Sequence, residues 1–212
     1  PYTYALMLIG TLALTGFPFL SGYYSKDAII EFAYLKGTTV GYYAATIGIL
    51  TALLTAIYSW RLIFKTFHGK YNNKKNSLGT IHESPLIMLL PTFLLAIGAV
   101  LSGILFKEVF IGYNSPQFWD SSILFLQSIN HEDLPIWFTS LTPTIVIIAI
   151  PVSYYLFIEN EKILKNIILK NQALYNFLLN KWYFDELYNF IFVVPLKKIG
   201  LLLWKKGDIK TI

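Results

Sequence analysis

Cysteine is absent from this 212-residue chain, and charge is scarce, with only 14% of residues being Asp, Glu, Lys or Arg. The first absence excludes disulfides, thiolate metal sites, iron–sulfur ligation and a cysteine nucleophile. The second leaves too little polar surface for a water-soluble domain. With 55% hydrophobic residues and a mean hydropathy of +0.54, the chain reads as an integral membrane protein. Its three histidines, His68, His82 and His131, show no partner at metal-ligand spacing, which argues against a metal site. There is no GxGxxG element to hold a dinucleotide. Neither an initiator methionine nor a signal peptide precedes the first apolar run, so the chain reads as a fragment or as one piece of a split protein. The net charge of +5 comes from lysines that cluster beside apolar runs, a pattern of membrane-facing basic loops rather than of a nucleic-acid partner.

What the chain does have is length without charge. Pro1–Ser25, Gly37–Trp60, Ser84–Phe106 and Leu134–Ile158 carry no ionised side chain. Each exceeds the roughly 20 residues that a helix needs to cross a bilayer. Lys65, Lys70, Lys74 and Lys75 place the loop after the second stretch on the cytoplasmic or matrix side. The segment 107–133 carries four acidic residues against one lysine and is expected outside, and the tail after Glu159 returns to the lysine-rich side. Residues 1–36 therefore make one crossing.

That crossing contains the most informative stretch, GFPFLSGYYSKDAIIE at 16–31. Gly16, Pro18 and Gly22 sit where a continuous helix would be weakened or broken. Ser25 offers an N-cap for a second half-helix, with Asp27 in its first turn. On one reading, Lys26, Asp27 and Glu31 are interfacial charges on a solvated loop. On the other, the helix resumes inside the membrane and carries them with it, the architecture by which transporters hold ions near the midplane. Thirty-six residues as one straight helix would reach roughly 54 Å, too long for the bilayer. The loop charges thus favour the broken helix.

At the inner end of the second span, Arg61, Lys65 and His68 fall at i, i+4 and i+7 on one helical face. Cations there satisfy the helix dipole and snorkel to headgroups, which weighs against a proton path ending at His68. Beyond Ile158, residues 159–181 mix Ile and Leu with regularly placed lysines, and Glu161 is spaced to pair with Lys165. The longest uncharged run in the remaining tail, Leu187–Leu196, is too short to span, so a helix lying along the membrane surface is expected.

These blocks resemble a known family. LIGTLALTGFPFLSGYYSKDAIIE at 8–31, YSWRLIFKTFHGK at 58–70, HESPLIMLLPTFLLAIGAVLSG at 82–103 and YFDELYNFIFVVPLKKIGLLLWKKGD at 183–208 are similar to the C-terminal third of an antiporter-like subunit of proton-pumping NADH:quinone oxidoreductase (respiratory complex I). That subunit is the L subunit of bacteria and subunit 5 of mitochondria. The first block belongs to the antiporter-like superfamily, and the last narrows it towards the L type and the large subunit of multisubunit cation/proton antiporters. The resemblance implies that Lys26 lies on a proton route with Asp27 as its neighbour, and that the tail begins a lateral helix. It implies no cofactor in this chain, with NAD, FMN, iron–sulfur clusters and quinone in other subunits. The family's upstream buried Glu and Lys are not in this sequence.

The expected fold is all-α, a polytopic membrane helix bundle with one discontinuous helix and a C-terminal amphipathic lateral helix. Its parts are a discontinuous crossing over 1–36, helices over 40–66, 84–106 and 134–158, an outward loop over 107–133, and an inner-side segment leading into the lateral helix over 159–212. Lys26 and Asp27 are the expected proton-translocating pair; Glu31, Arg61, Lys65 and His68 are either part of a path or helix-end charges. Burial and the helix dipole both act against a cationic Lys26 while Asp27 acts for it, which suits a relay residue. The partners implied are the other membrane-arm subunits, the N-terminal portion of the same subunit and lipid. The membrane is the bacterial cytoplasmic or mitochondrial inner membrane. The alternatives are a large subunit of a cation/proton antiporter and a purely structural membrane scaffold.

Overall fold

The computed structural model describes residues 1–69, 83–122 and 134–208. His82, His131 and most of the two long loops lie outside the described residues. Among those described, all regular structure is helical, and there is no strand. The chain divides into two compact units, Pro1–Glu161 and Lys162–Ile212.

The first unit opens with α1 (Tyr2–Thr15), a break, and α2 (Ser21–Leu35). Neither half alone reaches the roughly 30 Å of a bilayer core. Local stereochemistry makes the break. Gly16 takes φ 83°, its N–H donates to Ala13 at 3.2 Å, and the Phe17 N–H reaches back to Leu12 at 3.0 Å. This is the Schellman closure that glycine permits without a Cβ penalty. Phe19 is also left-handed at φ 70°, and an extended Leu20 leads into α2. The N-cap expected at Ser25 is therefore Leu20. Ser25 lies one turn inside α2, where its hydroxyl donates back to the carbonyls of Ser21 and Gly22. The sequence cue failed because a serine inside a helix can satisfy itself on the preceding turn.

Thr38 caps α3 (Thr39–Ile63), its Oγ1 accepting from the Gly41 N–H at 3.1 Å. A π-turn, Phe64–His68, continues this helix. α4 (Leu86–Phe110) runs a turn past its uncharged stretch, so Lys107 and Glu108 belong to the helix and not to the loop expected from 107. A cation in the last turn complements the helix dipole, which makes that extension favourable. Short α5 (Ser115–Trp119) follows. Then come α6 (Ile136–Thr139) and α7 (Leu141–Tyr154), the latter closed by a π-turn over Tyr155–Glu159.

α3 packs on α7, α2 and α1, and α4 packs on α1 and α2. The contacts are made by small residues. Ala56 and Ala149 let α3 and α7 approach around Trp60, Ile63 and Phe64, while Ala45 does so beside Ile30 and Phe138. Such contacts are how helices associate where lipid offers no hydrophobic drive between them. The outward faces are apolar, as a surface solvated by acyl chains must be: Leu86 and Ile87 of α4 are more than four-fifths exposed.

The second unit is built from α8 (Glu161–Lys170, whose first residue closes the first unit), α9 (Gln172–Leu179), α10 (Phe184–Tyr188) and α11 (Val194–Leu203). Lys181, Trp182 and Tyr183 all have positive φ and separate α9 from α10. Four helices among the described residues are long and apolar enough to cross a membrane by length and composition: Thr39–His68, Leu86–Phe110, Ile136–Glu159 and Lys181–Gly207. The last extends well beyond its uncharged run, because the paired Lys197 and Lys198 do not interrupt the helix.

Candidate functional site

The helix break sets the position of Lys26. Gly22, at the start of α2, lies so close to the end of α1 that a Cβ there would overlap the Ala13 carbonyl oxygen. The stem of Lys26 passes 3.5 Å from where a Gly16 Cβ would stand, and its Nζ donates to the carbonyl oxygen of Leu14. That oxygen is one of the orphan acceptors at the C-terminal end of α1, where the macrodipole favours a cation. The sequence placed Lys26 at a helix N-terminus, with the dipole against it. In the fold it lies in the second turn of α2 and its ammonium sits at the negative end of α1.

Asp27 follows immediately, but consecutive residues leave a helix about 100° apart. The residue is 7% exposed, and the polar group set against its carboxylate is the Tyr23 hydroxyl, one turn earlier on the same helix. The direct pairing with Lys26 implied by their adjacency is therefore not made. Asp27 instead lines a cavity of about 450 Å³ between α2 and the end of α4, with Glu31 one turn further along and Glu108 opposite. Glu31 is half-buried and Glu108 exposed. The Lys107 ammonium lies 5.5 Å from the Tyr24 ring at the same cavity.

Arg61 at the end of α3 and Lys65 and His68 in the π-turn after it reach different partners. Arg61 stacks over Phe157 at 5.6 Å, and Lys65 forms an ion pair with Glu161. His68 turns to α1, its Nε2 lying 3.0 Å from the Tyr4 hydroxyl. The π-turn explains the separation, since closing hydrogen bonds at i+5 rotates later side chains off the 3.6-residue register. Two contributors were not signalled by the sequence. Glu83 caps α1, accepting from the Thr3 N–H at 3.2 Å and from its hydroxyl at 2.6 Å. Glu108 reaches the Asp27 cavity only because α4 packs on α2. Among the described residues, no cluster of three or more histidines and carboxylates is arranged to hold a metal ion.

NADH-ubiquinone oxidoreductase chain 5 of Phytophthora infestans is 39% identical over 206 residues, covering 94% of this chain and 31% of its own length. The protein of the same name from Chondrus crispus is 37% identical over 94% of this chain and 32% of its own. NADH-quinone oxidoreductase subunit L of Rickettsia bellii is 37% identical over the whole chain and 33% of its own length. The chain belongs to the chain 5/subunit L family. It corresponds to the C-terminal part of that subunit and spans about a third of the length of the relatives it matches. No family model matches the chain. As part of subunit 5/L, with apolar helices of crossing length, it is an integral membrane protein.

Proposed function

We propose that this part of subunit 5/L translocates protons, driven by NADH oxidation and quinone reduction in other subunits of the complex. The observation that carries the reading is Lys26, held by a broken helix at the last carbonyls of α1. Lys26 holds its proton against the Leu14 oxygen. Loss of that contact frees the side chain to deliver the proton across the α2 surface to Asp27, whose carboxylate lies beside the Tyr23 hydroxyl. Lysine suits the role because its ammonium can give up a proton, whereas a guanidinium cannot. Arg61 and Lys65 act as helix-end charges.

The loop 70–83 and the tail after Glu159 face the matrix or cytoplasm, and 107–133 faces outward. The second unit lies along the membrane against neighbouring membrane-arm subunits. NAD, FMN, iron–sulfur clusters and quinone are bound elsewhere in the complex, in the mitochondrial inner or bacterial cytoplasmic membrane. The names of the relatives support this reading over that of a cation/proton antiporter.

The test is NADH-driven proton uptake into closed vesicles carrying the full-length subunit in its assembled complex. Lys26→Ala lowers proton translocation several-fold with assembly retained, and Lys26→Arg does not restore it. Asp27→Asn acts in the same direction more weakly. A Lys26→Ala complex that assembles and pumps at the wild-type rate refutes the proposal.

A further inference from the structure

The C-terminal end of α3 carries a cation that the fold leaves without a counter-charge. Lys65 is neutralised by Glu161, whereas the exposed guanidinium of Arg61 has no carboxylate within ion-pair distance among the described residues. It lies instead 5.6 Å from the centre of the Phe157 ring, which is buried in the π-turn that closes α7. A guanidinium stacked in this way is held in place while its N–H edge stays free, and that planar fork matches phosphate oxygens.

The same face of α3 is an apolar track. At about 100° per residue, Leu50 and Leu54 fall within about 20° of Arg61, and Tyr43 and Ile47 continue the stripe. All four are exposed. From Leu50 to Arg61 the helix rises roughly 16 Å, half of a roughly 30 Å bilayer core and so the depth of one leaflet. Exposed Tyr58, within a turn of Arg61, and exposed Tyr155, within a turn of Phe157, have the amphipathic rings that collect at headgroup depth. The stripe does not suit a second helix. Transmembrane helices meet through small residues, and on α3 Gly41, Ala45, Ala52 and Ala56 are already buried on the opposite side. Bulky side chains are left outward, as acyl chains require.

We infer that Arg61 binds the phosphate of an anionic phospholipid whose acyl chain lies along Leu54 and Leu50. Lys65, Lys70, Lys74 and Lys75 follow in the sequence and draw anionic headgroups to the same leaflet. Phe157 is a positioning residue, holding the guanidinium fork at headgroup depth. Nothing in this site depends on the Lys26 relay.

The probe is phosphatidylglycerol with a photoactivatable diazirine midway along one acyl chain. It is doped into phosphatidylcholine vesicles holding the assembled complex with its full-length subunit, and labelled peptides are identified by mass spectrometry after illumination. Label is expected on the α3 segment 47–57, several-fold above that from phosphatidylcholine carrying the same diazirine. Arg61→Gln should abolish this preference, and Arg61→Lys, which keeps the charge without the fork, should keep part of it. Phe157→Leu should weaken the preference while leaving the label from phosphatidylcholine unchanged. Equal labelling of the wild type by the two lipids signifies annular lipid only and overturns the site, and that comparison stands even if Arg61→Gln does not assemble. A preference that survives Arg61→Gln overturns the role of Arg61. Absence of label from either lipid means that a neighbouring subunit covers the stripe, and overturns the site as well.

Discussion

Replacing Gly22 with alanine tests the helix break from which the site is built. The added Cβ would overlap the Ala13 carbonyl oxygen and lie 3.0 Å from its carbon, and both are backbone atoms that cannot rotate away. The ends of α1 and α2 must then part by roughly 1 Å or more to recover van der Waals separation. Overpacking of this kind costs about 1–3 kcal/mol. The same movement draws Lys26 off the Leu14 oxygen, and a hydrogen bond to a charged group contributes about 1.5–3 kcal/mol. Together the two effects come to about 2.5–6 kcal/mol, roughly two to four orders of magnitude in the folding equilibrium. Gly98→Ala on α4 is the control, because its Cβ meets nothing within 4 Å. That change should be neutral or stabilising by up to about 1 kcal/mol through helix propensity. The measurement is unfolding of the detergent-solubilised complex, followed by retention of the subunit on native gels as temperature or dodecyl sulfate rises. A Gly22→Ala complex with the midpoint of wild type would show that α1 and α2 do not meet as described.

Three further outcomes are expected. Lys65 and Glu161 are paired but about half exposed, at 43% and 51% of their side chains, so Lys65→Ala or Glu161→Ala should cost only about 0.2–1 kcal/mol in a double-mutant cycle; a coupling above about 2 kcal/mol would refute a solvent-screened pair. The Ser153 hydroxyl is fully buried without a partner among the described residues, so Ser153→Ala should be neutral or stabilising by up to about 1 kcal/mol in the same unfolding assay, and a large loss would reveal a bond that the hydroxyl makes. Single cysteines at positions 75 and 120 should label from opposite sides of the membrane, as the lysine asymmetry requires; labelling from one side refutes the topology.

The sequence alone determined the membrane character and the break within residues 1–36, because both depend on local properties. Charge-free runs report desolvation residue by residue, and Gly16 with Pro18 reports backbone conformations that need no distant partner. Lys26 was conspicuous for the same reason, as an ionisable group beside an interrupted apolar run. Its surroundings were not legible. Ser25 has the residue type of a cap, but the choice between capping and bonding back to Ser21 is made by where the chain re-enters the helix, and that depends on Gly22 fitting against Ala13. The common face of Arg61, Lys65 and His68 dissolved at a π-turn that 3.6-residue spacing does not anticipate. Adjacency suggested that Asp27 serves Lys26, yet the packing of α2 on α1 and α4 sends the lysine to Leu14 and leaves the aspartate facing Glu108. Only tertiary structure decided that, because a buried charge is governed by the groups packing brings within a few ångströms of it, and those come from other helices.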